Sequence, residues 1–394
     1  MSGTLCTIYN NISFALNLHS DAMSRLQEQA STGSRINRAS DDPSAAYRVL
    51  GLNSEEMSLE NYLDNLSEVV SGLELSSSTV DHVMSAIVET KTQLTQILGG
   101  IYNEDGRRIL AEGVNDRLEQ VVLLANTKYL DQYIFGGSNT MSAPYVAERA
   151  DGNITKVNYR GGVESRNVEV AEGVQTDAFY AGDNVFGSDR RTAPTFLGET
   201  GAAAGTGTSS VTGYTWLTVT GSAGNYDLSI DGGLTTFNTD GTDTNLAVTN
   251  STTGEVLYVD TTGITGTGDA LISVSGTYDV FDTLITIREL LINERGYSES
   301  QLRELLNNTF DALDELDNQL AQTQASMGMK IGFLSKLENS LKDREYNAED
   351  ETTRLQQADI AQVAIDLSRR EVLYEMSLSV AAKLMSMSLL DYLE

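Results

Sequence analysis

Two matched apolar stripes, one at each end, constrain this chain more than any other feature. Between Asp359 and Leu393, apolar or small residues recur at Ile360, Val363, Leu367, Tyr374, Ser377, Ala381, Leu384 and Ser388, with one step skipped at Arg370. Steps of three and four make the seam of a helix that packs along another helix. Val372, Leu378, Met385, Met387, Leu389 and Leu390 widen that seam. Chain ends tend to be polar and frayed, so an apolar terminal face of this length calls for a partner. The other end supplies one: Leu5, Ile8, Ile12, Ala15, His19, Ala22 and Leu26 repeat at the same steps. The ends are expected to pair with each other, and everything between them to leave that pair and return to it.

The interior fits such a plan. After Gly33, a plausible helix stop, Asp42 is placed to cap a new helix with Pro43 in its first turn. From Ala45 to Leu98 the seam runs Leu59, Leu63, Leu66, Val70, Leu73, Ser77, Val80, Met84, Ile87, Lys91, Leu94, Leu98. At 1.5 Å per residue that helix is roughly 80 Å long. Gly99-Gly100 turns the chain, and a second helix is expected over 105–129 on Ile109, Val114, Leu118, Val121 and Ala125.

From Met141 to Tyr278 Thr, Gly, Ser, Asn and Val dominate, and no lysine stands between Lys156 and Lys330. Alternating runs such as Thr215–Thr220, Tyr226–Ile230 and Glu255–Val259 read as strands between turns. We expect β-hairpins over 141–186, a small antiparallel β domain over 195–275, and a flexible linker over 198–210. Helix returns at Val280. A capping box at Ser298-Glu299-Ser300-Gln301 opens a long seam from Leu302 to Leu341, and a new start near Asn347 leads into the terminal helix. The fold class is mainly α with a β insertion: long antiparallel helices from the N- and C-terminal segments, plus hairpins and a small antiparallel β domain. The expected divisions are 1–44, 45–187, 188–275, 276–347 and 348–394.

Composition excludes several functions. The formal charge is −30, the wrong sign for a nucleic-acid surface or for docking on anionic lipid. Cys6 is the sole cysteine, so no internal disulfide forms. No run of 18 apolar residues and no cleaved secretory signal is visible. His19 and His82 lie in helical patterns that suit packing or surface roles rather than a metal pair. Asp231-Gly232-Gly233 and Asp240-Gly241-Thr242-Asp243 lack the ligand spacing of an EF-hand and read as turns. No residue constellation suggests an enzyme or a cofactor.

Four groups of residues resemble a known family. Gln29-Ala30-Ser31-Thr32-Gly33-Ser34-Arg35-Ile36-Asn37-Arg38-Ala39-Ser40-Asp41-Asp42 is similar to the N-terminal signature of bacterial flagellins. Tyr133-Ile134-Phe135-Gly136-Gly137 with Pro144-Tyr145, and Tyr159-Arg160-Gly161-Gly162 with Arg166 and Asn184-Val185-Phe186-Gly187, resemble the hook–filament junction branch of that superfamily. So does the ending Ser388-Leu389-Leu390-Asp391-Tyr392-Leu393. The resemblance spans residues 1–187 and 276–394.

It implies an extracellular, non-enzymatic subunit forming a ring between hook and filament, exported through the flagellum's type III gate without a cleaved signal. The implied partners are further copies of itself, a neighbouring junction protein, flagellin, and a flagellar export chaperone. The terminal packing residues would be Leu5, Ile8, Ile12, Leu26, Ile360, Val363, Leu367, Tyr374, Leu378, Ala381, Leu384 and Leu389. The chaperone would take the same C-terminal stripe through Val363, Leu367, Tyr374, Leu378 and Leu384, because an amphipathic helix is what a grooved partner captures. Arg35, Asn37, Asp41 and Asp42 would form an interhelix turn, and the resemblance adds contacts between subunits. The alternative is a flagellin of the filament itself. A cytoplasmic coiled-coil adaptor would leave the Gly- and Thr-rich insertion unexplained.

Overall fold

The computed structural model describes residues 2–100, 103–188 and 190–393, with side chains described at these positions except 2–6, 8–9 and 384–393. The chain forms two compact units, one of residues 1–64 with 337–394 and one of residues 65–336. Both divisions between the units fall inside long helices.

The first unit holds α1 (Ser2–Thr32), the start of α2 (Pro43–Gly99), the end of α6 (Glu299–Gln356) and α7 (Ile360–Leu393). Helices α1 and α7 pack antiparallel: Ser34 bridges Gln357 just beyond their meeting ends, and His19 faces Arg370 further along. Helices α2 and α6 are also antiparallel, with Arg48 paired to Glu351 at 3.1 Å and Glu55 to Arg344 at 2.8 Å. No helix starts near Asn347. That residue lies inside α6, where its side-chain amide donates to the Asp343 carbonyl. The break comes instead at Gln357–Asp359, and the Asp359 carboxylate caps α7 by accepting from the Gln362 N–H at 3.1 Å.

In the second unit α2 buries two heptad columns. One is Leu66, Leu73, Val80, Ile87 and Leu94; the other is Val69, Ser76, Val83, Thr90 and Ile97. Ser76 and Thr90 enter the core because their hydroxyls donate back to the carbonyls of Gly72 and Ala86, each at 2.8 Å, which satisfies them within the helix. Helix α3 (Glu104–Ala125) is capped by Asn103 and buries Ala111, Val114, Leu118, Val121, Val122 and Ala125. Ile109, expected in that seam, is instead 67% exposed.

Three hairpins follow: β1 (Lys128–Tyr129) with β2 (Gln132–Tyr133), β3 (Tyr145–Ala150) with β4 (Asn153–Tyr159), and β5 (Arg166–Ala171) with β6 (Val174–Phe179). The short α4 (Gly182–Phe186) leads out, and α5 (Val280–Ile292) leads back in. Phe135, Tyr145, Phe186 and Phe281 meet in one aromatic cluster, with ring centroids 4.7–6.0 Å apart. The glycines beside it permit backbone contact: a Cβ on Gly136 would stand 2.4 Å from the Asn139 carbonyl oxygen, and one on Gly137 (φ +58°) 2.3 Å from that of Gly162. The Tyr159 hydroxyl ties the knot, donating to the Gly162 carbonyl at 2.9 Å and accepting from the Gly182 N–H at 3.1 Å.

The insertion departs and returns as a paired stem. Gly187 bridges Asp279, and the N–H groups of Ser188, Arg190 and Thr192 donate to the carbonyls of Tyr278, Gly276 and Ser275. Above the stem stand strands β7 (Thr195–Leu197), β8 (Ala203–Ala204), β9 (Gly213–Ser222), β10 (Asn225–Ser229), β11 (Phe237–Thr239), β12 (Leu246–Thr249), β13 (Val256–Asp260) and β14 (Gly268–Val274). They form one sheet in the order β11-β10-β9-β14-β7 and a second in the order β12-β13-β8. Leu217, Val219, Leu228, Val248, Leu257, Val259, Ala270 and Ile272 fill the core of the insertion.

The expected linker over 198–210 is an ordered part of this domain. Ala203 and Ala204 pair with Asp260 and Val259, the Gly205 N–H donates to the Tyr258 carbonyl, and Ser209 is buried. Its glycines serve close approach: a Cβ on Gly207 would stand 2.4 Å from the Tyr258 ring. The domain is fastened to its own helical neighbours. The Trp216 indole N–H donates to Glu289 at 3.1 Å, Arg295 lies 4.0 Å over the Trp216 ring, and Arg295 pairs with Asp269 at 2.6 Å.

Both candidate calcium loops close on their own side chains and backbone. Asp240 accepts from the N–H and hydroxyl of Thr242. Asp231 accepts from the Thr235 N–H, from the Ser229 hydroxyl, and from the N–H and hydroxyl of Ser251. The Thr235 N–H, helped by the two hydroxyls, holds the Asp231 carboxyl far below the ordinary carboxylate range.

A depressed pKa adds stability that is present above the unfolded value near 4 and lost as pH falls below it. In acid titrations followed by Trp216 fluorescence, Asp231→Asn is therefore expected to reduce stability at neutral pH. It should also flatten the decline below about pH 4. An unchanged acid profile would assign the acid sensitivity to other groups.

Candidate functional site

Among the described residues no group of three His, Cys, Asp or Glu is placed to hold a metal ion, and no helix is long and apolar enough to cross a membrane. The candidate site is therefore a surface, the terminal helix pair with its joint.

The pair is built along one seam. Val363 is buried at 8% exposure, and Ile12, Ala15, Leu26, Leu367, Tyr374, Ser377 and Ala381 are half-buried. The skipped step in the stripe is occupied by Arg370, whose guanidinium donates to His19 Nδ1 at 3.3 Å. A half-buried polar pair thus sits inside the seam. Ile360 and Leu378, expected in the same seam, face outward at 49% and 44% exposure. The side chains of Leu5, Ile8, Leu384 and Leu389 lie outside the described residues.

A second stripe runs along α7 through Val372, which the sequence sets beside the seam. Ile365, Val372, Met376 and Val380 are exposed along α7, as are Phe14 and Leu18 on α1. Their spacing of three and four is itself the available signal, with Arg369 filling one step. Each large apolar side chain gains roughly 1.5–3 kcal/mol when it is covered. The outward face is thus suited to receive another helix.

At the joint, the two breaks in the long helices meet. The Arg35 N–H donates to the Gln356 carbonyl at 2.6 Å and the Ala358 N–H to the Gly33 carbonyl at 2.9 Å. The Arg35 guanidinium donates to the Leu355 carbonyl at the end of α6 and pairs with Asp42, both at 3.1 Å. Asp41 accepts from the N–H groups of Asn37 and Arg38, and the Asn37 amide donates to the Ser34 carbonyl. Asp42 caps α2 by accepting from the Ala45 N–H at 3.0 Å. That bond first, and the Arg35 guanidinium second, lower the Asp42 pKa. Each of the four joint residues named from the sequence is engaged within its own chain.

Comparison with known proteins places this geometry. Residues 6–140 match the bacterial flagellin N-terminal helical region and residues 310–393 the bacterial flagellin C-terminal helical region. Together the two matches cover more than half of the chain. Over 162 residues the chain is 29% identical to flagellar hook-associated protein 3 of Escherichia coli (strain K12), a match covering 41% of this chain and 49% of that protein. The chain spans about half the length of the curated relatives it matches. Among solved structures, a flagellar hook-associated protein 3 from Legionella pneumophila aligns with TM-score 0.52 at 16% identity, covering 77% of this chain and 98% of that one. A flagellar junction protein, also from Legionella pneumophila, aligns with TM-score 0.50 at 19% identity, covering 79% and 100%. At these identities the structures speak for the fold.

Asp42→Ala removes the cap and is expected to weaken the first turn of α2. Amide exchange at Ala45 and Ala46 should then speed up several-fold while exchange near Leu94 is unchanged. Equal acceleration along all of α2 would mean that Asp42 acts on the whole fold, not on the cap.

Proposed function

This chain belongs to the bacterial flagellin family, and we propose that within it the chain is the structural, non-catalytic subunit of the junction between hook and filament. The kinship to hook-associated protein 3 supports the junction over the filament. The observation that carries an assembly role is the outward apolar stripe of Ile365, Val372, Met376 and Val380 with Phe14 and Leu18. In the assembled ring that stripe would pack against terminal helices of neighbouring copies, and beyond them against a second junction protein and flagellin. The subunit would reach this place outside the cell through the type III export gate, without a cleaved signal.

The direct test is gold labelling of isolated flagella with antibody to this chain, together with removal of its gene. The expected result is a narrow band between hook and filament, and hooks without filaments in the deletion strain. Label along the whole filament would make the chain a flagellin instead. In the same background, removing residues 193–274 and joining the stem should leave export and ring intact, since the insertion is closed at its base by Gly187–Thr192 against Ser275–Asp279.

Before export the seam face of α7 would need cover wherever it is not paired with α1, because an exposed apolar face invites association. A flagellar export chaperone holding Val363, Leu367, Tyr374, Leu378 and Leu384 in a groove would supply it. Leu367→Asp together with Leu378→Asp puts two charges on that seam, where burial without a partner costs several kcal/mol each. Chaperone pull-down should be lost. Undiminished capture would place the recognition surface elsewhere in the chain.

A further inference from the structure

The two longest helices carry a weakness that packing does not explain. Short of its last residue, α2 has two glycines, Gly51 and Gly72, and α6 has two, Gly328 and Gly332. Glycine inside a helix is destabilising relative to alanine, because it loses more backbone freedom on folding. It earns its place where a neighbour stands too close for a Cβ. At three of these positions none does. A Cβ on Gly328 or Gly332 would meet nothing within 4 Å, and one on Gly72 would lie 3.8 Å from the Tyr129 ring, an ordinary contact.

Those three glycines fall at one level of the antiparallel α2 and α6. The Gln324 amide donates to Asp81 at 3.3 Å, which aligns the two helices. Gly72 stands nine residues from Asp81 along α2, and Gly328 and Gly332 stand four and eight residues from Gln324 along α6, in the same direction.

The level is thinly supported. From Leu302 to Leu320, α6 buries eight residues. Beyond Leu320 it buries one in seven: Met327, Leu334, Leu341 and Ala348. On α2 the Ser76 hydroxyl donates to the Gly72 carbonyl at 2.8 Å. A hydroxyl bonded back to the preceding turn often bends a helix, and Gly with Ser is a recurrent site of kinks. The β5–β6 hairpin braces one side, through Lys330 with Asp177 at 2.8 Å and through the Asn65 amide, which donates to the Glu169 carbonyl at 2.9 Å. Both braces are made by partly exposed side chains, which hold weakly.

We propose that α2 and α6 bend together at this level, as a built-in hinge. A hinge needs only a few residues that absorb the backbone change. All three glycines lie in the second unit, within eight residues of the positions where the helices pass into the first. The stretch beyond them, joined by Glu55 and Arg344, changes direction while the knot and the insertion keep theirs. A subunit held by several neighbours can then follow small differences in their placing without disturbing its own core. This goes beyond the junction reading and does not depend on it.

The test uses the full chain with Cys6→Ser, so that introduced thiols are the only ones. Spin labels at Asn153→Cys and Glu349→Cys span the level. Labels at Asn153→Cys and Gln322→Cys lie short of it and serve as the reference; all three positions are exposed. Double electron–electron resonance reads the spread of distances. The spanning pair is expected to give a distribution clearly broader than the reference. Gly72→Ala, Gly328→Ala and Gly332→Ala together should narrow it to the reference width, with helix content by circular dichroism kept or raised. Gly328→Ala with Gly332→Ala alone, both at open positions, should narrow it in part and covers the case in which Gly72→Ala disturbs Tyr129. A higher melting temperature by itself decides nothing, since alanine stabilises any helix. A spanning pair no broader than the reference would overturn the hinge. So would a broad distribution that folded alanine variants leave unchanged, because the motion would then arise elsewhere.

Discussion

Two helices packed along one seam can bury only one side of each, and the terminal pair α1–α7 lives under that limit. Val363 reaches full burial while Leu367, Tyr374 and Ala381 reach half. Phe14, Leu18, Ile365 and Met376 are left to water. An isolated pair of this kind is marginal, because most helical stability in proteins comes from packing an apolar face. The rest of the chain contrasts with it. Leu66, Leu73, Val80, Ile87 and Leu94 of α2 are essentially inaccessible, as are Leu313, Leu316 and Leu320 of α6. One unit completes its own core, whereas the terminal pair carries apolar surface on both sides.

That contrast gives the joint at Ser34–Gln357 its meaning. A chain that breaks both long helices at one level needs to satisfy several carbonyl and N–H groups there. Arg35 serves both sides, donating to the end of α6 and pairing with the cap of α2. Asp41 and Asp42 absorb the N–H groups of the intervening turn and of the first turn of α2. Exposed ion pairs contribute little by themselves, so the joint depends on its backbone bonds and caps. Those are the same bonds that hold the two terminal helices in register with the paired α2 and α6.

Much of this was legible in the sequence, and the failures have physical causes. The antiparallel pairing of the ends followed from their matched stripes, and the β insertion from its turn residues and alternation. The second buried column of α2 was hidden by Ser76 and Thr90, which read as polar but satisfy themselves on the preceding turn. Gly198–Ser210 read as a flexible linker because its composition is low in complexity. Yet its glycines are there for contact with Tyr258 and Gly263. Asn347 resembles a helix start by residue type, yet its amide bonds the i−4 carbonyl and so is at home inside a helix. In the terminal seam, Ile360 and Leu378 were assigned to the inner face because a stripe seen in one dimension has no inside. Only the position of Arg370 opposite His19 decides which edge points at the partner.

The residues that carried the family resemblance turn out to be architectural. Phe135, Tyr145 and Phe186 are buried together, and the glycines at 136, 137 and 162 allow close backbone approach while Gly161 makes room for the Tyr159 ring. Tyr159 spends its hydroxyl on Gly162 and Gly182. A signature of this kind specifies how hairpins lock onto α5, and it would survive a change of partner. Specificity must then lie in residues outside it, on exposed faces such as Leu130, Met141 and Val163 or the outer stripe of α7. Closure and exposure fall on different residues of neighbouring turns: Gly136 closes the knot by backbone contact, and Leu130, six positions earlier, stands in solvent.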